Sequence, residues 1–270
     1  MTEIAKETLA KEEALKKHLA AHASIALAYS GGVDSTYLAD VAYEVLGGKV
    51  LLLLNGSPSM PRSELAEAEG IARERGWNLT LIGTDEFEND EYLKNDADRC
   101  YVCKSGLFAL MRRYAVERGI AVLAHGENAD DVADTTRRGH VAALELGAVA
   151  PLQDVDLSKA EIRVLSQHRG LPTWDKAPLA CLSTRIPTGT RISRADVGRI
   201  ERAEEALKGA GFHQYRARHH GDLCRIEVMP DQMGKALEPD VREKLIAEIR
   251  AAGYRHVALD LAGYRTAGAL

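Results

Sequence analysis

The sequence predicts an α/β protein: a three-layer domain on a parallel sheet, followed by a smaller α+β domain. Three observations predict it. Short apolar runs alternate with amphipathic segments of about 12 residues between Ser24 and His125, the rhythm of βαβ crossovers. A Ser-Gly-Gly cluster follows the first apolar run and opens a helix, so the polar residues fall where open α/β sheets bind ligands. After Pro172 the alternation stops, and Pro178, Pro187 and Gly189 mark an irregular connection.

The elements follow in order. Residues 2–21 (TEIAKETLAKEEALKKHLAA) read as a charged amphipathic helix, and SIALAY, residues 24–29, as a short buried strand. Helices are expected at Ser35–Leu46, Ser63–Arg75, Ser105–Arg118 and Ser158–Arg169, with strands at Lys49–Leu54, Asn78–Ile82 and Ile120–His125. Beyond the connection, Ser193 can cap a helix running to Lys208. His213–His220 and Asp222–Val228 read as two strands around Gly221, Asp240–Ala251 as a helix and Tyr254–Leu261 as a strand. The domains expected are 1–178 and 179–270, the second including the connection that carries Cys181.

Composition excludes several classes. A chain of 270 residues that is 46% hydrophobic has material for a core and is no disordered or collagenous protein. Its longest aliphatic run, Val50–Leu54, is far below the roughly 18 residues of a membrane span. The charged N-terminus lacks a continuous apolar stretch, so a cytoplasmic location and thiol cysteines are expected. With 35 basic and 40 acidic residues, the net charge of −5 does not suit stable nucleic-acid binding, although a local cluster could hold a small anion.

Ser30-Gly31-Gly32-Val33-Asp34-Ser35 joins the first strand to a helix. Glycines let backbone N–H groups approach an anion, serines add hydroxyl donors, and the helix N-terminus attracts negative charge. The loop lacks the Walker lysine, and Asp34 would repel a phosphate unless Mg²⁺ stood between them. The bland alternative is a tight turn with Asp34 as a helix cap. SGGVDS resembles the PP-loop of N-type ATP pyrophosphatases, which cleave ATP between its α and β phosphates and leave an adenylylated substrate. The resemblance implies ATP contacts from Ser30, Gly31, Gly32, Asp34 and Ser35, and Mg²⁺ at Asp34. Gly126-Glu127-Asn128-Ala129-Asp130-Asp131, after the fourth strand, looks like the second nucleotide-facing loop, with Gly126 and Asn128 as contacts; alone it is equally an ordinary turn.

The four cysteines are spaced Cys100-x-x-Cys103, then Cys181, then Cys224. Cys224 alternates with Ile226 and Val228 and reads as core. The other three could ligate a [4Fe-4S] cluster, leaving one iron open for a sulfide. A redox disulfide between Cys100 and Cys103, or a zinc site completed by histidine, are the alternatives. RCYVCK, PLACLSTRIPTGTRIS, YRARHHGDLCRIEV and LDLAGYR together resemble the LarE family, ATP-dependent sulfur transferases of nickel-pincer cofactor biosynthesis. The similarity covers nearly the whole chain. It implies adenylylation of a carboxylate of pyridinium-3,5-biscarboxylic acid mononucleotide and its conversion to a thiocarboxylate. Some members sacrifice one cysteine sulfur; the three cysteines here resemble the subgroup that carries a [4Fe-4S] cluster with an added sulfide, at Cys100, Cys103 and Cys181.

Period 2 places Arg216, Arg218 and His220 on one face of their strand, and Arg225 and Glu227 on one face of the next. Two guanidiniums about 7 Å apart make a fork suited to one phosphate; the plainer reading is a solvated charged face. The family resemblance implies that Arg185, Arg216 and Arg218 line a substrate phosphate pocket, with Glu227 beside them. Glu204 shares a helix face with Val197, Ile200 and Leu207, so it points inward or lies at the edge of the stripe, and the arginine hairpin is its expected partner. The function expected is that of an ATP-dependent sulfur transferase with Cys181 and Asp34 as catalytic residues, using ATP, Mg²⁺ and the cluster. Its partners would be a small mononucleotide, a sulfide donor, other enzymes of the cofactor's synthesis and further copies of itself, with no membrane. A tRNA-thiolating enzyme and a nucleotide-gated iron-sulfur sensor are the competing readings.

Overall fold

A computed structural model describes residues 4–133, 138–178 and 180–265. The chain forms two compact units, Met1–Glu88 with Asp98–Leu179, and Asn89–Ala97 with Ala180–Leu270. The domain boundary expected at 178 and 179 falls on Leu179, outside the described residues.

In the first unit α1 (Lys6–Ala20) leads into β1 (Ile25–Tyr29), α2 (Val33–Leu46), β2 (Val50–Asn55), α3 (Arg62–Glu74) and β3 (Leu79–Ile82). The chain crosses briefly into the second unit at α4 (Asp90–Leu93). It returns with α5 (Arg99–Glu117), β4 (Val122–His125), α6 (Arg138–Glu145), α7 (Pro151–Asp154) and α8 (Lys159–His168). The strands are all parallel in the order β3-β2-β1-β4, with Ile25 opposite both Val50 and Val122. β1 and β2 are apolar throughout because both faces are covered. Ile25, Leu27, Val50, Leu52 and Leu54 pack with Leu15, Tyr37, Val41 and Leu165 of α1, α2 and α8. Ala26, Leu51, Leu53 and Leu123 pack with Leu107, Phe108 and Met111 of α5. That alternation makes the three-layer α/β architecture.

Two details depart from the sequence reading. Helix α5 begins at Arg99, so the Cys-x-x-Cys pair lies within its first turn and does not precede it. Residues 99–104 contain no Gly or Pro, and the Val102 N–H already donates to the Asp98 carbonyl at 3.0 Å. Helices α6 and α7 occupy a stretch where the sequence reading places no element.

The second unit holds α9 (Arg194–Gly209), β5 (Tyr215–His220), β6 (Leu223–Val228), α10 (Met233–Leu237), α11 (Pro239–Ala251) and β7 (His256–Leu259). β5 and β6 form an antiparallel hairpin, and β7 joins β6 in parallel. Ala217, Cys224, Ile226 and Val228 of this sheet bury against Ala203 and Leu207 of α9 and Leu245 and Ile249 of α11. Burial also pushes the Cys224 thiol up to about 12, so this cysteine is an inert core residue. Residues 89–97 belong here because Asn95 donates to the Pro187 and Thr190 carbonyls at 2.8 and 3.0 Å, and Asp90 pairs with Arg191. No described helix is long and apolar enough to cross a membrane.

Candidate functional site

The glycine loop sits where the polar cluster predicts, between β1 and α2. Ser30 and Ser35 share a hydroxyl contact of 3.0 Å, the Ser30 N–H donates to Ser35 Oγ at 3.2 Å, and Ser35 Oγ donates to the Gly32 carbonyl at 3.3 Å. The loop is therefore fixed by its own serines. Gly31 has φ +70°, and a Cβ there would lie 2.5 Å from the Cβ of Ala68 on α3. Gly126 has an equivalent constraint: a Cβ would meet the Ser35 amide nitrogen at 3.0 Å and its Cα at 3.1 Å. The loop after β4 thus rests directly on the first turn of α2, whose first backbone N–H groups have no helical acceptor.

Asp34 projects from that turn. Its Oδ1 accepts from Asn128 Nδ2 at 3.4 Å, and its Oδ2 is gripped by the Lys159 ammonium. Asn128 is 1% exposed and is oriented by an Asp130 N–H donating to its Oδ1 at 2.9 Å, while the Lys159 N–H donates to Asp130 Oδ2 at 2.8 Å. A second cation, Lys176, donates to the Gly31 carbonyl at 3.2 Å and pairs with Glu64 at 2.7 Å and Glu67 at 3.0 Å. The sequence reading names neither lysine. Lys159 could have been found, because a cation in the first turn of the capped helix α8 runs against the helix dipole and so asks for another reason to be there. Backbone donors, hydroxyls and a long-stemmed ammonium around one carboxylate suit a polyphosphate. Asp34 suits a magnesium ion, which would take the carboxylate from Lys159 and leave the ammonium to the phosphates.

Cys100 is exposed and Cys103 half-buried, three residues apart and so neighbours across one turn at the positive end of α5. The position favours thiolates. The turn is anchored from outside: Tyr101 donates to Glu145 of α6 at 2.6 Å, and Gly139 of α6 lets that helix approach Cys100 and Lys104. Cys181, half-buried, belongs to the second unit and precedes a 3₁₀ turn at Leu182–Arg185. As donors the three suit iron-sulfur ligation. Among the described residues no group of three or more His, Cys, Asp or Glu side chains is assembled as a metal centre.

In the second unit the expected faces appear: Ala217 and His219 are buried, while Arg216 and Arg218 look away from the core. Glu227 stands directly across from Arg216 in the register, yet its carboxylate takes Arg218 in a two-pronged pair at 3.0 and 3.0 Å and Arg225 at 3.2 Å. Glu204 is buried, as its place in the stripe predicts, but its guanidinium partner is Arg185, at 2.8 and 3.0 Å. The hairpin contributes only a backbone donor, the Ala217 N–H at 3.1 Å. The correction has a geometric reason: Ala217 points toward α9, so its flanking arginines point away.

Arg185, 4% exposed, also donates from Nη1 to the carbonyls of Ala180 and Cys181 at 2.9 and 3.1 Å. Its guanidinium is largely taken up in holding the Cys181 turn. Arg216 is the opposite case: among the described residues it has no carboxylate partner, only the Tyr215 carbonyl at 2.7 Å and the Tyr264 hydroxyl at 3.3 Å, with the Tyr264 ring 5.0 Å from its centre. Burial, and behind it the charges of Arg185 and Arg218, push its pKa below the ordinary arginine value. Three guanidiniums against Glu204 and Glu227 thus leave an unmatched positive charge, centred on Arg216. The sequence reading omits Tyr264, and no local pattern marks it.

No family model matches the chain. It is 39% identical over 240 residues, 89% of each chain, to an uncharacterized protein of Synechocystis sp.. It is 31% identical over 243 residues to the pyridinium-3,5-bisthiocarboxylic acid mononucleotide synthase of Lactiplantibacillus plantarum, covering 90% of this chain and 87% of that one. A shorter match, 30% identical over 156 residues, 54% of this chain and 50% of the other, joins it to a glutamine-hydrolyzing GMP synthase of Methanococcus maripaludis.

Proposed function

The chain belongs to the pyridinium-3,5-bisthiocarboxylic acid mononucleotide synthase family, LarE, and from that premise we propose that it is an ATP-dependent sulfur transferase acting on a pyridinium mononucleotide. The observation that carries the reading furthest is the unmatched guanidinium of Arg216, beside Arg218 and in the same unit as Cys181. A phosphomonoester is the ligand that such a fork matches. The first unit would adenylylate the substrate and the second would hold it.

In the first step a substrate carboxylate attacks the α-phosphorus of ATP, the bond to the β-phosphate breaks, and pyrophosphate leaves. Ser30, Gly31, Gly32 and Ser35 supply donors to the leaving group, with Gly126 and Asn128 closing the loop from β4. Asp34 would hold magnesium, and Lys159, once released from Asp34, would neutralise charge developing on the phosphates. The attacking carboxylate is already ionised at neutral pH, so this step needs no general base.

Sulfur would come through Cys100, Cys103 and Cys181, the residues that would hold a [4Fe-4S] cluster of the three-cysteine subgroup. Such a group, when bound, supplies a sulfide nucleophile toward the acyl carbon. Arg216 and Arg218 would hold the substrate phosphate meanwhile, with Arg185, Glu204 and Glu227 setting the geometry of that pocket. The same reading places the protein in the cytoplasm as a homo-oligomer working with a sulfide donor.

The test is pyrophosphate release from ATP on addition of pyridinium-3,5-biscarboxylic acid mononucleotide, with a product heavier by the exchange of oxygen for sulfur when sulfide is supplied. Release that requires tRNA instead would favour a tRNA thiolase. ATP binding without release under every condition would leave only a sensor.

A further inference from the structure

One buried contact chain in the second unit joins two features that sequence leaves separate. The Cys181 turn is held by Arg185, whose Nη1 reaches the Ala180 and Cys181 carbonyls at 2.9 and 3.1 Å. The other prongs of that guanidinium grip Glu204 at 2.8 and 3.0 Å. Glu204 Oε1 also accepts the N–H of Ala217 at 3.1 Å, the residue between Arg216 and Arg218. β5 is an edge strand, so this amide has no neighbouring strand to pair with, and Glu204 supplies its acceptor. A second tie runs parallel, from Arg218 Nη1 to the Thr184 carbonyl at 3.1 Å. Thr184 Oγ1 donates back to the Cys181 carbonyl at 2.8 Å.

We propose that Glu204 and Arg185 form a positioning relay through which an anion bound on Arg216 and Arg218 fixes the turn that carries Cys181. The inference rests on the reading of that hairpin as the substrate's phosphate site. Arg185 and Glu204 are then positioning residues that need not touch the phosphate. Arg185 has one N–H that none of these bonds uses, and Glu204 is spent on two partners. The arrangement is suited to transmission because every link is buried or half-buried and multiply bonded. Ordering β5 orders the Ala217 amide, then Glu204, then the guanidinium that holds the turn. Its consequence is an order of events: the sulfur-bearing turn becomes rigid when substrate is present.

Backbone hydrogen exchange on the full-length chain tests this without assaying activity. With pyridinium-3,5-biscarboxylic acid mononucleotide at about 100 times its Kd, protection linked to binding has a ceiling of about 100-fold. We expect exchange to slow in 215–218 and, by about tenfold, in 182–186 as well. In Glu204→Gln the ligand should still protect 215–218 while the effect on 182–186 disappears, a split that a merely structural role would not produce. Wild-type protection of 215–218 with 182–186 unchanged overturns the relay, as does a Glu204→Gln chain that keeps both effects. If Glu204→Gln does not fold, the wild-type comparison decides alone. If the mononucleotide protects neither segment, the phosphate reading has failed. The relay then stands or falls on ligand-free chains, where Glu204→Gln must accelerate exchange in 182–186 with α11 unchanged.

Discussion

Gly31→Ala is the sharpest probe of the nucleotide loop, because the structure says which atom it would strike. The new Cβ would stand 2.5 Å from the Cβ of Ala68, where methyl groups ordinarily rest about 4 Å apart, so the loop and α3 must separate by more than an ångström. Overpacking of this kind costs about 1–3 kcal/mol, and the left-handed φ of +70° adds about 1–2 kcal/mol for a residue with a Cβ. The expected loss is about 2–5 kcal/mol, with pyrophosphate release reduced at least about 100-fold, because a 1 Å displacement of a positioned group has that effect. Ala68→Gly removes the struck atom and, in a helix, costs about 1 kcal/mol alone. The double variant should therefore lose about 1–3 kcal/mol less than the two single losses together, leaving the φ cost in place. Urea unfolding of the four chains followed by circular dichroism measures this coupling. Single and double variants that add to within about 0.5 kcal/mol would refute the contact and the argument for glycine built on it.

The other predictions concern charges and thiols. Asp34→Asn and Lys159→Met should each lower pyrophosphate release by about 10²-fold or more while leaving thermal unfolding nearly unchanged, since both side chains are partly exposed; unfolding in parallel with inactivation would contradict the assignment. Arg216→Ala should weaken mononucleotide binding by about 1.5–3 kcal/mol in calorimetry and leave ATP affinity and stability alone. Arg218→Ala should in addition destabilise the second unit, because it deprives the buried Glu227 of its two-pronged partner; equal stability losses in both variants would refute the distinction. Replacing Cys100, Cys103 or Cys181 with Ala should abolish broad iron-sulfur absorption near about 400 nm in anaerobically prepared protein, whereas Cys224→Ala should retain it. Iron-free wild-type protein that loses about 34 Da from Cys181 in one turnover would point instead to a sacrificial cysteine.

The alternation of strands and helices through the first unit was legible in the sequence because it depends on local patterns: VLLLLN can be covered on both faces, and Ser158 with Glu161 closes a capping box within four residues. The SGGVDS loop was legible for the same reason, since its glycines and serines act on one another within six positions. So were the outward arginines of β5 and the buried Cys224, which follow from a period of two. The start of α5 was not, because the sequence treats Cys-x-x-Cys as a loop while Asp98 and the cover of α6 carry the helix through it.

What only tertiary structure decided is which charges meet. Lys159 reaches Asp34 across 125 positions, and Lys176 reaches Gly31 across 145. Glu204 takes Arg185 in place of the arginines expected for it, which leaves Arg216 without a carboxylate. Long charged side chains carry no periodicity that names a partner, and several partners of the same charge are always available in sequence. The selection is made by the packed backbone. Ala217 must face the core of the second unit, so Arg216 and Arg218 must face away from it, and the burial of Glu204 against the Cys181 turn then has one guanidinium within reach.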